Sequence, residues 1–170
     1  LWAQCDIAQS GIGAFNSTNT AAISSLCVGQ TGLLKFNIYN LGTDQNCIIP
    51  VNTARAVLSF PSPSTNPKPY VYNGPASFNS GNFTWTYNSN NNTLTGLNSV
   101  PLAQYAGEEV LVSIIGNQVG SFNIPLNITQ LAGVSNNTNN DNSSILLSVN
   151  ASPTASISYT GTPYCNTGTA

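Results

Sequence analysis

The sequence predicts an all-β chain folded as a two-sheet β-sandwich, and three observations predict it. Short runs rich in Val, Ile, Thr, Tyr and Phe are separated by Asn, Gly and Pro, the residues of turns. No window gives a convincing amphipathic helix of about ten or more residues. Hydrophobic residues make up 41% of the chain and charged residues only 5%, so solubility rests on Asn, Ser and Thr. Disordered chains combine low hydrophobicity with high charge, which is the reverse balance.

The elements follow in order. Residues 6–14 give a weak strand with glycine kinks. Residues 32–40 place Leu34, Phe36 and Ile38 on one face and Lys35, Asn37 and Tyr39 on the other, the period of a half-buried strand. Residues 54–60 alternate in the same way. The stretch 61–75 carries five prolines and reads as a surface loop. Phe83, Trp85 and Tyr87 share one face of a strand over 82–88, and 93–97 returns as its hairpin partner. Residues 108–116 are continuously apolar, as in a central strand. Residues 120–130 alternate, with Pro125 marking an edge or a bulge. Residues 145–150 close the domain. About seven or eight strands result, paired antiparallel because no crossover helix is available. Beyond Pro153 one further strand, 155–159, has no partner in sequence; it either opens a following module or completes a neighbour's sheet.

Function classes fall away on inventory. Lys35, Arg55 and Lys68 are the only cations, and the net charge is −2, so no basic surface exists for nucleic acid. No apolar run is long enough to span a membrane as a helix. The chain has no His, which removes the ordinary Ser-His-Asp triad and His-assisted metal water. Of the five carboxylates, Glu108 and Glu109 are adjacent on a strand and point to opposite faces, so they cannot flank one scissile bond. No cofactor is expected. Asp44 and Asp141 each offer a single carboxylate, too few for calcium, and read as solvated turn residues. Lys35 lies on an outward face rather than poised for a link to Asn. Phe83, Trp85 and Tyr87 read as core, and Tyr70 and Tyr72, flanked by prolines, as exposed contacts.

Cys5, Cys27, Cys47 and Cys165 have no zinc-ligand spacing and read as disulfides of a secreted chain. If the first strand runs antiparallel to 32–40, Cys5 lies where Cys47 emerges, and Cys27 lies toward the exit to Cys165. The expected pairs are Cys5–Cys47 and Cys27–Cys165. The chain has no Met, and Leu1-Trp2-Ala3-Gln4 reads as a signal-peptide remnant or N-terminal tail. The expected organisation is a tail at 1–4, a sandwich at 5–150, and a linker with an extension strand at 151–170.

The segment Val28-Gly-Gln-Thr-Gly-Leu-Leu-Lys-Phe-Asn-Ile-Tyr-Asn-Leu-Gly resembles the opening of an Ig-like repeat of large bacterial surface proteins. Asn139-Asn-Asp-Asn-Ser143 with Ile145-Leu-Leu-Ser-Val149 resembles its Asn-rich turn and last strand. The tail Ser152-Pro-Thr-Ala-Ser-Ile-Ser-Tyr-Thr-Gly-Thr-Pro-Tyr-Cys165 is similar to the start of tandem repeats in Bacteroidota adhesion and gliding proteins. The resemblance implies an antiparallel Ig-like sandwich and a non-catalytic structural or adhesive module of a long cell-surface protein, exported by the type 9 route. Its expected partners are neighbouring modules, identical subunits or surface glycans. Two other readings stay open: a self-assembling filament subunit that uses 155–159 to complete a neighbour, and a carbohydrate-binding module of a secreted enzyme.

Overall fold

A computed structural model describes residues 5–62, 67–131 and 137–155. Among them are twelve strands: β1 (Ile7–Gln9), β2 (Gly13–Asn16), β3 (Ser25–Cys27), β4 (Thr31–Asn40), β5 (Ala54–Ser59), β6 (Tyr70–Tyr72), β7 (Ser77–Asn79), β8 (Phe83–Asn88), β9 (Thr93–Asn98), β10 (Gly107–Gly116), β11 (Gly120–Gln130) and β12 (Asn142–Asn150). One sheet runs β1–β4–β10–β6, with β2 also on β4; the other runs β3–β12–β11–β5–β9–β8–β7. The count exceeds seven or eight because short pieces stand separately. Both β1 and β2 lie along β4, Ile7 opposite Asn40 and Gly13 opposite Lys35. The kinked strand expected at 6–14 is therefore two strands, broken where Asn37 N–H donates to Ser10 Oγ at 3.0 Å.

The core forms where the alternating faces of the two sheets meet. β4 buries Leu34, Phe36 and Ile38, and β10 buries Val110, Val112 and Ile114. The second sheet contributes Leu58, Trp85, Leu94, Ile124, Leu126 and Leu147. Each such side chain contributes roughly 1.5–3 kcal/mol by leaving water. Phe36 meets Trp85 edge-on at 5.8 Å between ring centroids. The Trp85 Nε1–H donates to Ser80 Oγ at 2.7 Å, so the buried indole leaves no donor unpaired.

Three local expectations change. The proline-rich stretch 61–75 is not wholly loop, because β6 forms within it and pairs Val71 with Ile115 of β10. Pairing is not wholly antiparallel: β3 lies parallel to β12, Leu26 opposite Val149. A crossover helix is unnecessary here, since the two strands are distant in sequence and other strands intervene. Pro125 sits inside the eleven-residue β11, yet β5 pairs with β11 only from Leu126 onward. At Pro125 the strand has a partner on one side only, which is where a missing N–H is tolerated.

β12 ends at Asn150, whose carbonyl accepts from Val28 N–H at 2.9 Å. Residues 151–155 are exposed, with Ser152 Oγ donating to Val28 O at 2.7 Å. Residues 1–4 and all of 155–159 except Ala155 lie outside the described residues. No helix among the described residues is long and apolar enough to cross a membrane.

Candidate functional site

The residues singled out by sequence are dispersed. Cys5 and Cys47 are disulfide-bonded with Cα atoms 5.3 Å apart, as strand order implied. Cys27 has no disulfide partner among the described residues; Cys165 lies outside them. Cys27 stands opposite Asn150, beside the point where the chain leaves β12.

Tyr70 and Tyr72 are not exposed contacts: they are 0% and 8% accessible. Their three-residue strand alternates Tyr-Val-Tyr, so both rings turn inward and Val71 turns out. The Tyr70 hydroxyl donates to Leu147 O, and its ring meets Phe122 edge-on at 6.0 Å. Burial pushes the Tyr70 hydroxyl up to about 12. The Tyr72 hydroxyl is also raised, by burial first and by Tyr87 second. Phe83 and Trp85 are core as expected, while Tyr87 is half-buried and donates to Asn92 Oδ1 at 2.6 Å.

The charged groups are engaged structurally. Lys35 points outward and pairs with Glu109 at 3.1 Å. Glu108 accepts from Ser80 Oγ and Asn82 N–H. Asp44 caps its turn by accepting from Asn46 N–H at 2.8 Å. Asp141 is buried rather than solvated, correcting the turn reading: the short 3-10 turn before β12 tucks it under, and its carbonyl accepts from Ile128 N–H at 2.7 Å. Among the described residues no cluster of three or more His, Cys, Asp or Glu could hold a metal.

A groove of about 510 Å³ lies instead on the outer face of the β4–β10 pair. Tyr39, Asn37 and Leu41 come from β4 and its exit; Tyr105, Gly107, Glu108 and Glu109 come from the turn into β10 and its start. Gly107 stands directly across from Tyr39. A Cβ on Gly107 would lie 2.5 Å from Tyr39 Cβ and 2.6 Å from Ile38 O, so the missing side chain is what leaves the Tyr39 flank open.

Tyr105 is the unexpected member. It is 71% exposed, and its φ is +60°. Among the described residues the other non-glycine residues in this region, Asn19, Asn52 and Asn92, are of the type that tolerates it. Tyr105 holds the third position of a turn closed by Ala106 N–H to Ala103 O at 3.0 Å, where glycine or asparagine ordinarily stands. Such a conformation costs about 1–3 kcal/mol unless its surroundings over-determine it. Here they do. Tyr105 N–H donates to Asn40 O at 2.8 Å, and Asn40 N–H donates to Ala106 O at 2.9 Å. The Asn40 side chain is fully buried; Nδ2 donates to Leu102 O at 3.1 Å and Cys47 O at 3.3 Å, and Oδ1 accepts from Gly42 N–H at 2.9 Å. The Cys5–Cys47 bond thus anchors the node that holds the Tyr105 turn. Sequence reasoning placed Tyr39 on the polar face of its strand but had no signal for Tyr105.

No family model matches the chain, and no curated protein matches it. Solved structures do. The CARDB domain of a Pyrococcus furiosus protein matches in its solution NMR structure at TM-score 0.52 and 15% identity, over 88% of this chain and 98% of that one. A crystal structure of the same domain, in complex with di-metal ions, gives TM-score 0.53, 14% identity, and coverage of 89% and 99%. A cohesin module from a Clostridium perfringens family 33 glycoside hydrolase gives 0.53, 13%, and coverage of 89% and 100%. The chain is an all-β, Ig-like sandwich. Identities this low carry the fold and leave the function to the residues.

Proposed function

We propose that this sandwich is a non-catalytic, extracellular adhesive module of a larger bacterial surface protein, and that it contacts neutral glycans through the Tyr39–Tyr105 groove. The observation that carries the reading is Tyr105: an exposed aromatic ring held in a strained backbone by a buried node, with no packing role to explain it. Aromatic faces take the C–H faces of a sugar ring, while Asn37 and the carboxylates offer hydrogen-bond partners for its hydroxyls. Glu109 is already neutralised by Lys35 and Glu108 is already hydrogen-bonded, so the groove favours an uncharged ligand. A stapled, β-rich chain without histidine supports the extracellular and non-catalytic parts.

A glycan array followed by calorimetry on the best hit tests this. Tyr105→Asn should abolish measurable binding while leaving the melting temperature equal or higher, because Asn accepts a positive φ at lower cost. Binding that survives Tyr105→Asn, or an array without a hit, sinks the assignment.

A further inference from the structure

We infer that β10 carries an insertion slot for a foreign β-strand, and that its occupant is residues 155–159 of a second copy of this chain. This inference does not rest on the glycan groove. The slot follows from backbone parity. Along β10, even-numbered residues face β4: Gly116 N–H donates to Gln30 O, and Gly116 O accepts from Gly29 N–H. Odd-numbered residues face the opposite edge, where Asn117 N–H donates to Pro69 O and Ser113 O accepts from Asn73 N–H at 2.9 Å. β6 covers that edge only from Ile114 to Gly116, because Asn73-Gly74-Pro75 turns the chain away. At the far end Asn82 Nδ2 closes on Gly107 O at 3.2 Å. Between these stops, the N–H and C=O of Glu109 and Leu111 and the N–H of Ser113 meet no described backbone partner. The interval from Gly107 to Ser113 is about 20 Å at the rise of a strand, enough for four or five residues of a strand.

The slot also has a place for a side chain. A hollow of about 250 Å³ opens beside it, lined by Tyr72, Pro75, Phe78, Leu111 and Val112. An incoming strand would place an apolar side chain there while its backbone completes the ladder.

The segment 155–159, Ala-Ser-Ile-Ser-Tyr, has this chemistry. Ala155, Ile157 and Tyr159 alternate with two serines, and no residue from 151 to 170 is charged. It follows residues 151–154, which are exposed and take no part in either sheet. A branched aliphatic side chain suits a hollow of that size, and uncharged flanks avoid the desolvation of a charge beside the core.

The test is assembly of the full chain by light scattering across a concentration series. The wild type should give twice 17.8 kDa or a higher whole multiple as concentration rises. Leu111→Pro removes the edge N–H without removing a β4 ladder bond and should leave a monomer. Ile157→Asp changes none of the described core residues and should do the same with an unchanged melting temperature. Mixing the two should restore a heterodimer, because one partner keeps the slot and the other the strand. A synthetic peptide of residues 151–161 should bind the Ile157→Asp chain and not the Leu111→Pro chain. Cys165→Ser chains should still assemble, which separates strand insertion from disulfide linkage. A wild type that stays monomeric throughout, Ile157→Asp chains that assemble like it, or a mixture that stays monomeric overturns the inference.

Discussion

Tyr70 shows how far a single side chain can depart from its sequence context. Its proline neighbours suggest a surface loop, yet it is among the largest fully buried side chains. The run Tyr70-Val71-Tyr72 does alternate, but three residues are too few for a period to stand out among five prolines. The burial has a pH consequence. An unfolded tyrosine ionises near 10.0, whereas folded Tyr70 holds its proton to about 12. Between those values the unfolded state binds fewer protons, so stability falls as pH rises, by at most about 1.4 kcal/mol per unit. Tyr70→Phe should flatten this slope between pH 10 and 12, at the cost of the bond to Leu147 O. Urea melts of both proteins across that window measure it, and parallel slopes would remove Tyr70 as the cause. Tyr39 was legible by the same alternation over a longer strand. Tyr105 was not, because a lone aromatic in a turn leaves no periodic trace.

At the scale of elements, the β8–β9 hairpin was the most legible part, and its register explains a glycine. Gly96 faces Trp85 directly across the ladder. A Cβ there would lie 2.8 Å from two atoms of the indole, against a ring fully removed from solvent. The indole cannot shift freely: it stacks on Phe78 at 6.2 Å and meets Phe36 and Phe83 on other sides. Gly96→Ala should therefore destabilise by about 1–3 kcal/mol, the cost of overpacking a filled core. A melting temperature within a degree of the wild type would mean that the ring yields. The parallel β3–β12 contact was illegible for the opposite reason. Three residues of β3 carry little pattern, and their partner lies more than a hundred residues away, chosen by the closing of the whole sandwich.

At the scale of the molecule, the Cys5–Cys47 bond ties the first strand to the loop after β4 across a separation of 42 residues. That pairing could be inferred because two facts met: an antiparallel first strand fixes which pole Cys5 occupies, and β4 delivers Cys47 to the same pole. Both cysteines are buried in the same apolar cluster as Ile7 and Ile49, so the bond also fills core space. Replacing both by alanine should lower stability by roughly 2–4 kcal/mol, chiefly by freeing the unfolded chain. For a chain of this length that corresponds to a fall in melting temperature of about 4–16 °C. The loss should reach beyond stability. Asn40 Nδ2 donates to the Cys47 carbonyl, and Asn40 carries the backbone bonds that hold Tyr105 in place. The double variant, compared with wild type at a temperature where both remain folded, should show faster amide exchange at Tyr105 and Ala106 than at Val110 or Val112. Uniform exchange across the sheet would show that the staple steadies the fold as a whole and does not act through the Asn40 node.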